Sequence, residues 1–335
     1  MTRAGWSFLG FALLLAVGPA AAAGAEPLSL FETPRDRAAP ILAAIAGARR
    51  EVDVEVYQLT DAGVEDALAA ASGRHVTVRI ILNELFPGRD GDTRNGHNDA
   101  AAARLRAAGA QVEWSSPAYH YTHEKAVIVD AGGPGQEVLI MTMNLEPGYL
   151  GEPSPLGESL NFGIVDRQPD DVEQVRAIFE ADWSRRPYHL PAGSDLIVSP
   201  LNARRVLLAQ VNDARRSIHF FEQELLDPAL VAALMAAARR GVEVRGLIAP
   251  NMHGNRACAL EVEAAGGQVR VLAQPYEHAK AIITDAAVVS VGSINGSDNS
   301  MDRNRELGIM ARQGSIAAQM EAAFAEFWAQ GRPVN

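Results

Sequence analysis

The chain has 335 residues, with 41 acidic and 30 basic side chains and a formal net charge of -11. This acidic balance argues against a dedicated nucleic-acid binder, which needs basic side chains to neutralise phosphates. The single cysteine, Cys258, excludes an intrachain disulfide, so the 48% of hydrophobic residues must supply stability through a core.

The N-terminus has the pattern of a secretory signal peptide. Arg3 precedes an apolar run over residues 6–17, and Ala23-Gly24-Ala25 offers small residues for cleavage. The run is too short to span a bilayer, and no other stretch of the sequence approaches the roughly 20 apolar residues that a span requires. We therefore predict a signal peptide over residues 1–25, export to the periplasm or the medium, and no integral membrane span after its removal.

The rest of the sequence is an internal duplication. Residues 48–61 match residues 214–227, and a strand pattern at 76–82 recurs at 242–248 with the same offset. Each copy reads as three helix–strand pairs that begin with a helix, followed by the motif strand and a closing helix. This order predicts an α/β fold of two tandem repeats with mixed sheets flanked by helices. We place the repeats at residues 26–192 and 193–335, with residues 193–200 as the junction, and expect a monomer whose two halves meet at a pseudo-twofold axis.

Lysine occurs only twice in the sequence, because every other basic residue is arginine. Lys125 and Lys280 each stand two residues after a histidine, His123 and His278. Residues two apart in a strand point to the same face, so each histidine shares a face with its lysine. The rarity of lysine indicates a requirement for a compact ammonium that a planar guanidinium cannot replace.

Further polar residues follow each His-x-Lys pair. Asp130 and Asp285 stand five residues after the lysines, at an odd offset that favours a structural role at the strand end. Beyond them lie short polar segments with matched positions in the two copies: Thr142-Met143-Asn144 and Asn161 in the first, Gly292-Ser293-Ile294-Asn295 and Glu306 in the second.

These residues resemble the two His-x-Lys-x4-Asp motifs of the phospholipase D superfamily, with its Gly-Ser-x-Asn element and downstream acidic residue. The resemblance covers nearly the whole chain after residue 25. It implies a phosphodiesterase that works through a phosphohistidine intermediate without metal or cofactor, with both motifs in a shared active site. It also implies that the lysines hold the nonbridging phosphate oxygens, with hydrogen-bond donors beside them at Asn144, Ser293 and Asn295.

The first copy departs from this pattern, because Asn161 stands where the second copy has Glu306. If each residue pairs with the histidine of its own copy, Glu306 raises the pKa of His278 and makes it the acid. His123, beside Asn161, would then be the neutral nucleophile, which agrees with the family's usual assignment. Glu158 could supply the carboxylate that the first copy lacks.

Other polar and aromatic residues admit two interpretations. Tyr121 and Tyr276 each precede a motif histidine by two residues, and either line the cleft or pack against a neighbouring strand. His97 and His253 lie in polar loops, where solvation is favoured over contact with a substrate head group. Aromatic pairs spaced i, i+4 on the closing helices are predicted to pack in the core: Phe179 with Trp183, and Phe324 with Trp328.

A zinc site is the alternative chemistry, since His120, His123 and Glu124 cluster in the sequence. The second copy has no counterpart of His120 or Glu124, which favours the metal-independent interpretation.

The leading functional hypothesis is hydrolysis of phospholipid head groups by a phospholipase D-type enzyme. The loop at residues 83–98, extended only in the first copy, could gate a head group. The alternatives with the same chemistry are a nuclease acting on DNA or RNA, which the charge disfavours, and a phosphatidyl transferase resembling the cardiolipin synthases. A nonenzymatic envelope binding module with a weakened first site is the alternative from a different class.

Overall fold

The structure is a computed structural model that describes residue 1 and residues 26–88, 91–152 and 157–334. The predicted signal peptide, including its cleavage site at Ala25, lies outside the described residues except for Met1. Within the described part, no helix is long and apolar enough to cross a membrane.

The described residues of the first half form strands and helices in alternation. In chain order these are β1 (Leu28–Thr33), α1 (Ala39–Gly47), β2 (Glu51–Val56), α2 (Ala62–Gly73), β3 (Thr77–Leu82), β4 (Leu85–Phe86), β5 (Thr93–Arg94), α3 (Gly96–Ala107), β6 (Gln111–Trp114), β7 (Lys125–Val129), β8 (Glu137–Met141), a 3-10 turn (Pro147–Leu150), β9 (Ser159–Asp166) and α4 (Pro169–Trp183).

The second half repeats this series. Its elements are β10 (Leu196–Ser199), α5 (Ala203–Asp213), β11 (Ser217–Glu222), α6 (Pro228–Arg239), β12 (Glu243–Ile248), α7 (Asn255–Ala264), β13 (Gln268–Val271), β14 (Tyr276–Glu277), β15 (Lys280–Thr284), β16 (Val288–Gly292), α8 (Asp298–Asp302), β17 (Glu306–Ala311), α9 (Gly314–Gln330) and β18 (Arg332–Pro333).

Two sheets with matching strand order carry the duplication. The first runs β1-β9-β8-β7-β2-β3-β6, and the second runs β10-β17-β16-β15-β11-β12-β13 with β18 added at its edge. Both sheets are mixed, because three parallel strands meet an antiparallel motif strand, β7 or β15. The predicted α/β fold with two tandem repeats is therefore confirmed.

The sheets pack face to face between two outer layers of helices. Helices α1 to α3 cover the outer face of the first sheet and α5 to α7 that of the second, while α4 and α9 join the central core between the sheets. Phe179 and Phe324 are buried in that core, and Trp183 and Trp328 pack against it. The predicted core role of the aromatic pairs is confirmed.

The sequence patterns predict too few strands in each half. They place a helix first, whereas β1 and β10 precede α1 and α5 and pair antiparallel with β9 and β17. They also miss the pair of strands between each motif strand and the closing helix. The segment 193–200, predicted to be the junction, contains β10. The repeat boundary itself remains a prediction.

The two halves exchange short segments where they meet. Strand β14, which precedes the second motif, pairs in parallel with β9 of the first half, and the backbone N–H of His278 donates to the carbonyl of Leu160 (3.2 Å). In the reciprocal contact, Thr122 bridges to Arg305, and the N–H of His123 donates to the carbonyl of Arg305 (2.8 Å). Each motif histidine is thus attached to the backbone of the opposite half.

Candidate active site

The motif strands lie at the centre of their sheets and start at the same end. Lys125 and Lys280 are the first residues of β7 and β15, and each lies opposite the last residue of the neighbouring strand, Val56 or Glu222. Each histidine lies two residues before its strand start and is hydrogen-bonded to the opposite half, so the two motifs converge at the interface between the halves.

The motif aspartates lie at the far ends of the same strands and bind backbone. The Asp130 carboxylate accepts hydrogen bonds from the successive N–H groups of residues 49–51, and Asp285 does the same with residues 215–217. These bonds join the start of β2 or β11 to the end of the motif strand. The structure thus places both aspartates in a structural position, away from the histidines.

The expected pairing of histidines with acid and amide within each copy is wrong, because the pairs cross between the halves. The Glu306 carboxylate accepts from Nδ1 of His123 (2.8 Å), and the Asn161 side-chain oxygen accepts from Nδ1 of His278 (2.7 Å). The exchange of backbone segments is the cause, since it brings His123 beside the start of β17 and His278 beside the start of β9. Glu158 is not needed as a substitute.

Both acceptors are themselves held in place. Glu306 also accepts from Ser300 (2.7 Å) and Asn304 (3.1 Å), while Asn161 accepts from Thr142 (3.1 Å) and donates to Ser159 (2.9 Å). These acceptors leave each histidine with its proton on Nδ1. The Nε2 atom of each ring then carries a lone pair available for chemistry.

Both imidazoles are predominantly neutral in the free site. Burial lowers the pKa of His123 to about 4, although Glu306 opposes the shift. Burial also lowers the pKa of His278, with Lys280 as the next cause and no carboxylate to oppose it. A neutral ring is the form that can attack phosphorus, whereas the ring that acts as the acid must first take up a proton.

The lysines are buried beside the histidines. Nζ of Lys280 lies 3.2 Å from Nδ1 and 3.3 Å from Nε2 of His278, and Nζ of Lys125 donates to the carbonyl of His123. Burial lowers the pKa of Lys280 to about 8, and that of Lys125 well below its usual value, with repulsion from Lys280 contributing. A bound phosphate anion would favour the charged form of both.

A cavity of about 720 Å³ opens onto both histidines. Its wall is drawn from both halves and includes aromatic, amide and acidic side chains. The lining residues are Tyr57, Gln58, Phe86, Thr93, Arg94, Asn95, Gly96, His97, His123, Asn144, Glu146, Tyr149, Gln223, Glu224, His278 and Asn295. The loop at 83–98 contributes the β4–β5 hairpin to this wall.

Two tyrosines that the sequence analysis did not single out contact the histidines. The ring of Tyr57 lies 5.0 Å from His123 between centroids, and that of Tyr149 lies 4.3 Å from His278. Neither belongs to the motifs. Tyr57 directly follows β2, the strand that pairs with the motif strand β7. A polar side chain just past the end of such a strand is the signal that could have indicated Tyr57.

The asparagines and the serine that follow the two motifs lie in different environments. Asn144 and Asn295 line the cavity, but Ser293 is fully buried, donates to the carbonyl of Leu307 (3.2 Å) and accepts from its N–H (3.1 Å). Its expected role as a donor beside the lysines is therefore wrong. A Cβ on Gly292 would lie 2.3 Å from Cα of Gly308, so the glycine of this element permits the close approach of β16 and β17.

Tyr121 and Tyr276 do not line the cavity. Tyr121 is buried and donates to Asp92 (2.6 Å), and Tyr276 is held in β14. The structure therefore favours packing over the suggested substrate contact. His97 is on the cavity wall, whereas His253 is exposed and away from it.

The residues of the suggested zinc site point in different directions. His123 faces the cavity, His120 is exposed and lies 3.2 Å from Asp92, and Glu124 enters a buried acidic cluster with Glu55 and Asp182. Within the described part of the chain, these three carboxylates are the residues that could hold a metal, with ligand oxygens within 4.8 Å of one another.

Arg305 from the second half neutralises part of this acidic cluster. Its guanidinium is fully buried, donates to Oδ1 of Asp182 (2.9 Å) and forms an ion pair with the same carboxylate, with Nε 2.8 Å from Oδ2. It also contacts the hydroxyl of Tyr119. Glu124 has no hydrogen-bond partner among the described residues. Burial, with Asp182 contributing, raises the pKa of Glu124 to about 8, and burial likewise raises that of Glu55.

We expect Glu124→Gln to make stability less sensitive to pH. The folded pKa of about 8 exceeds the ordinary 4.5, so folding retains a proton that the unfolded chain releases. This contribution is complete below about pH 4.5 and is lost as the pH rises towards about 8. Glutamine has no such proton, so the thermal midpoint of the variant should fall several degrees less than that of the wild type between pH 5 and pH 8.

The matched control is Glu261→Gln, which changes an exposed glutamate. Its thermal midpoint should follow the wild type at every pH. Parallel curves for the wild type and Glu124→Gln would show that Glu124 is ionised in the folded protein.

Comparison with known proteins decides the family. The family described as "Cardiolipin synthase, PLD-like domain" matches residues 41–183 and 207–328, one segment in each repeat and together most of the chain. The chain belongs to this phospholipase D-like family. The phospholipase D superfamily resemblance is therefore confirmed.

Curated relatives of this family member are cardiolipin synthases. Cardiolipin synthase A of Pseudomonas aeruginosa is 29% identical over 236 residues, which cover 61% of this chain and 46% of the relative. The major cardiolipin synthase of Bacillus subtilis is 23% identical over 334 residues, covering 87% and 67%. The match thus spans less than half the length of the Pseudomonas protein.

Solved structures share the fold of this phospholipase D-like chain. Phosphatidylserine synthase of Haemophilus influenzae matches with a TM-score of 0.68 at 13% identity, covering 92% of this chain and 88% of that one. Polyphosphate kinase of Porphyromonas gingivalis matches with a TM-score of 0.66 at 18% identity, covering 89% and 50%. At these identities the likeness is one of fold.

Proposed function

We propose that this protein is a phosphatidyl transferase that moves the phosphatidyl group of a phospholipid to an alcohol. The observation that carries the proposal is the convergence of two His-Lys pairs on one cavity, with Nδ1 of both histidines held by an acceptor. The cardiolipin synthases among its relatives support transfer over hydrolysis. Hydrolysis, the leading hypothesis from the sequence, uses the same residues with water as the acceptor.

In the first step His123 acts as the nucleophile. Its Nε2 attacks phosphorus, forming an N–P bond as the bond from phosphorus to the head-group oxygen breaks. The phosphodiester anion, once bound, favours the protonated form of His278, and this imidazolium gives its Nε2 proton to that oxygen. The lysines stabilise charge on the nonbridging oxygens. The expectation that Glu306 makes His278 the acid is wrong, because Glu306 contacts His123. The assignment rests instead on the positive charge that the ring of His123 acquires on phosphorylation, which the Glu306 carboxylate stabilises.

In the second step an acceptor alcohol resolves the intermediate. His278 takes the proton of the alcohol as its oxygen attacks phosphorus, and the N–P bond breaks to return His123 to its neutral form. The identity of the product depends on the acceptor: an alcohol gives a new phosphatidyl ester, and water gives phosphatidic acid.

The test supplies phosphatidylglycerol vesicles to the purified protein and analyses lipids by mass spectrometry. We expect cardiolipin and free glycerol to be formed, and phosphatidyl esters of any primary alcohol that is added. Phosphatidic acid as the sole product would establish a hydrolase instead. Short single-stranded DNA and RNA are included in the same panel, and cleavage of these with inert vesicles would overturn the lipid assignment.

A further inference from the structure

Two carboxylates share the cavity with the groups that bind phosphate. Glu146 of the first half and Glu224 of the second both line the cavity that holds His123 and His278. A carboxylate repels the negatively charged phosphodiester, so its presence at this place is unfavourable for phosphate binding. In the free site each carboxylate is attracted to the motif lysine of its own half. Once phosphate binds the lysines, these side chains can interact with a different partner.

Glu146 lies on the wall formed by the first half. One of its oxygens accepts from the side chain of Asn144 (2.8 Å), and burial raises its pKa, while Asn144 and Lys125 oppose the shift. Tyr57 and Tyr149 line the same cavity; burial raises the pKa of both, and the negative charge of Glu146 adds to each shift.

Glu224 lies on the wall formed by the second half and is half-buried. Its carboxylate has no ion pair or side-chain hydrogen bond among the described residues. The backbone on either side of it is fixed by Asn255, which accepts from the N–H of Leu225 (2.9 Å) and donates to the carbonyl of Gln223 (2.8 Å). The backbone that carries this carboxylate is therefore fixed at the cavity.

The two acids are not shared by the two copies of the repeat. The position of Glu224 corresponds to Gln58 in the first copy, which lines the same cavity with a neutral amide. Glu146 corresponds to Ser297, by the offset that relates Asn144 to Asn295. Each acid is thus found in one copy alone, as expected for groups that contact one unsymmetrical part of a substrate.

We propose that Glu146 and Glu224 select an alcohol that carries a second hydrogen-bond donor, either a hydroxyl or an ammonium group. An ionised carboxylate is an acceptor only, and its hydrogen bonds to such donors are among the stronger ones in proteins. The donor would lie beside the oxygen that leaves phosphorus or attacks it. This inference rests on the proposed function, since it concerns the alcohol that is exchanged.

The experiment gives the full-length protein phosphatidylglycerol vesicles and three alcohols of matched length. These are 1-propanol, 1,3-propanediol and 3-amino-1-propanol in equal concentrations, and the ratio of their phosphatidyl products is measured. We expect the wild type to favour one or both donor-bearing alcohols over 1-propanol by about tenfold, the effect of one hydrogen bond to a charged group.

Substitutions then separate the two donor chemistries. Glu224→Leu and Glu146→Leu remove the acceptor. The yield of each donor-bearing product relative to that of the 1-propanol product should then fall towards one. Glu224→Gln and Glu146→Gln keep an acceptor oxygen without charge, so a preference for the ammonium should fall more than a preference for the hydroxyl. Glu113→Gln, an exposed site on β6, is the matched control and should keep the wild-type ratio.

The outcomes distinguish this inference from the proposed function. If the wild type makes phosphatidyl products from all three alcohols in equal amounts, or if the variants at Glu146 and Glu224 keep the wild-type ratio, the selection by these carboxylates is disproved. If the wild type makes neither cardiolipin nor a phosphatidyl ester of any of the three alcohols, the proposed transfer itself is wrong.

Discussion

Replacing either His123 or His278 by alanine should lower the rate of phosphatidyl transfer by about 10⁴-fold or more, because one ring forms the covalent bond and the other moves the proton. The two losses should be similar, since neither step proceeds without both groups. The double variant should be little worse than either single one, as is usual for groups that act as a unit. The measurement is the initial rate of product formation from vesicles, with folding checked by thermal unfolding.

Two controls accompany the histidine variants. His253→Ala changes an exposed histidine outside the cavity and should leave the rate unchanged. Addition of EDTA should also have no effect on the wild-type rate, because the nucleophile, the acid and the cations are all side chains. A rate that is lost in chelator and restored by zinc would contradict the assignment, as would near-normal transfer by either alanine variant.

A rapid-quench experiment locates the covalent intermediate. Rapid quenching of the wild type during turnover, followed by peptide mass spectrometry under neutral or alkaline conditions, should place phosphorus on the peptide that contains His123. Its contact with Glu306 is the reason for this expectation. Phosphorus on His278 would reverse the roles of the two histidines while leaving the two-step mechanism intact.

The parts of the site that depend on local spacing could be predicted from the sequence. The His-x-Lys alternation placed each histidine beside its lysine, and the odd offset of Asp130 and Asp285 correctly separated them from the histidines. The matched offsets between the copies were enough to predict the duplication. These features depend on the period of a strand and on comparison of one copy with the other.

The parts that depend on contact between the halves could not be predicted in the same way. The pairing of Glu306 with His123 arises because the backbone around Arg305 hydrogen-bonds to the first half, and nothing in the spacing of either copy encodes that exchange. The acidic cluster has the same origin: Glu55 alternates with apolar residues along β2 and reads as solvent-facing, but its face of the sheet is covered by the other half. The alternation of residue types along a strand shows that the strand has two different faces, but it does not show what covers each face.

Lys125→Arg and Lys280→Arg should each lower the rate by about 10²- to 10³-fold, the loss seen when one group that stabilises developing charge is removed. Charge is conserved in both variants, so the reason is space and geometry. Lys125 is fully buried and Lys280 is 3% exposed, and a planar guanidinium is larger than the ammonium that fits between each histidine and the strand. The initial rate with vesicles is the measurement.

The pH profile separates a role in phosphate binding from a packing role for Lys280. Its pKa of about 8 lies below the ordinary 10.5, so the free enzyme loses this positive charge as the pH rises through about 8, and kcat/KM of the wild type should decline there. Arginine stays charged, so the residual activity of Lys280→Arg should lack this alkaline decline.

The control is Arg186→Lys, which introduces a lysine at an exposed position and should keep both the rate and the profile. Near-normal rates in both lysine variants would mean that the scarcity of lysine in this chain has no catalytic cause, whereas a low rate with an unchanged alkaline decline would assign that decline to another group.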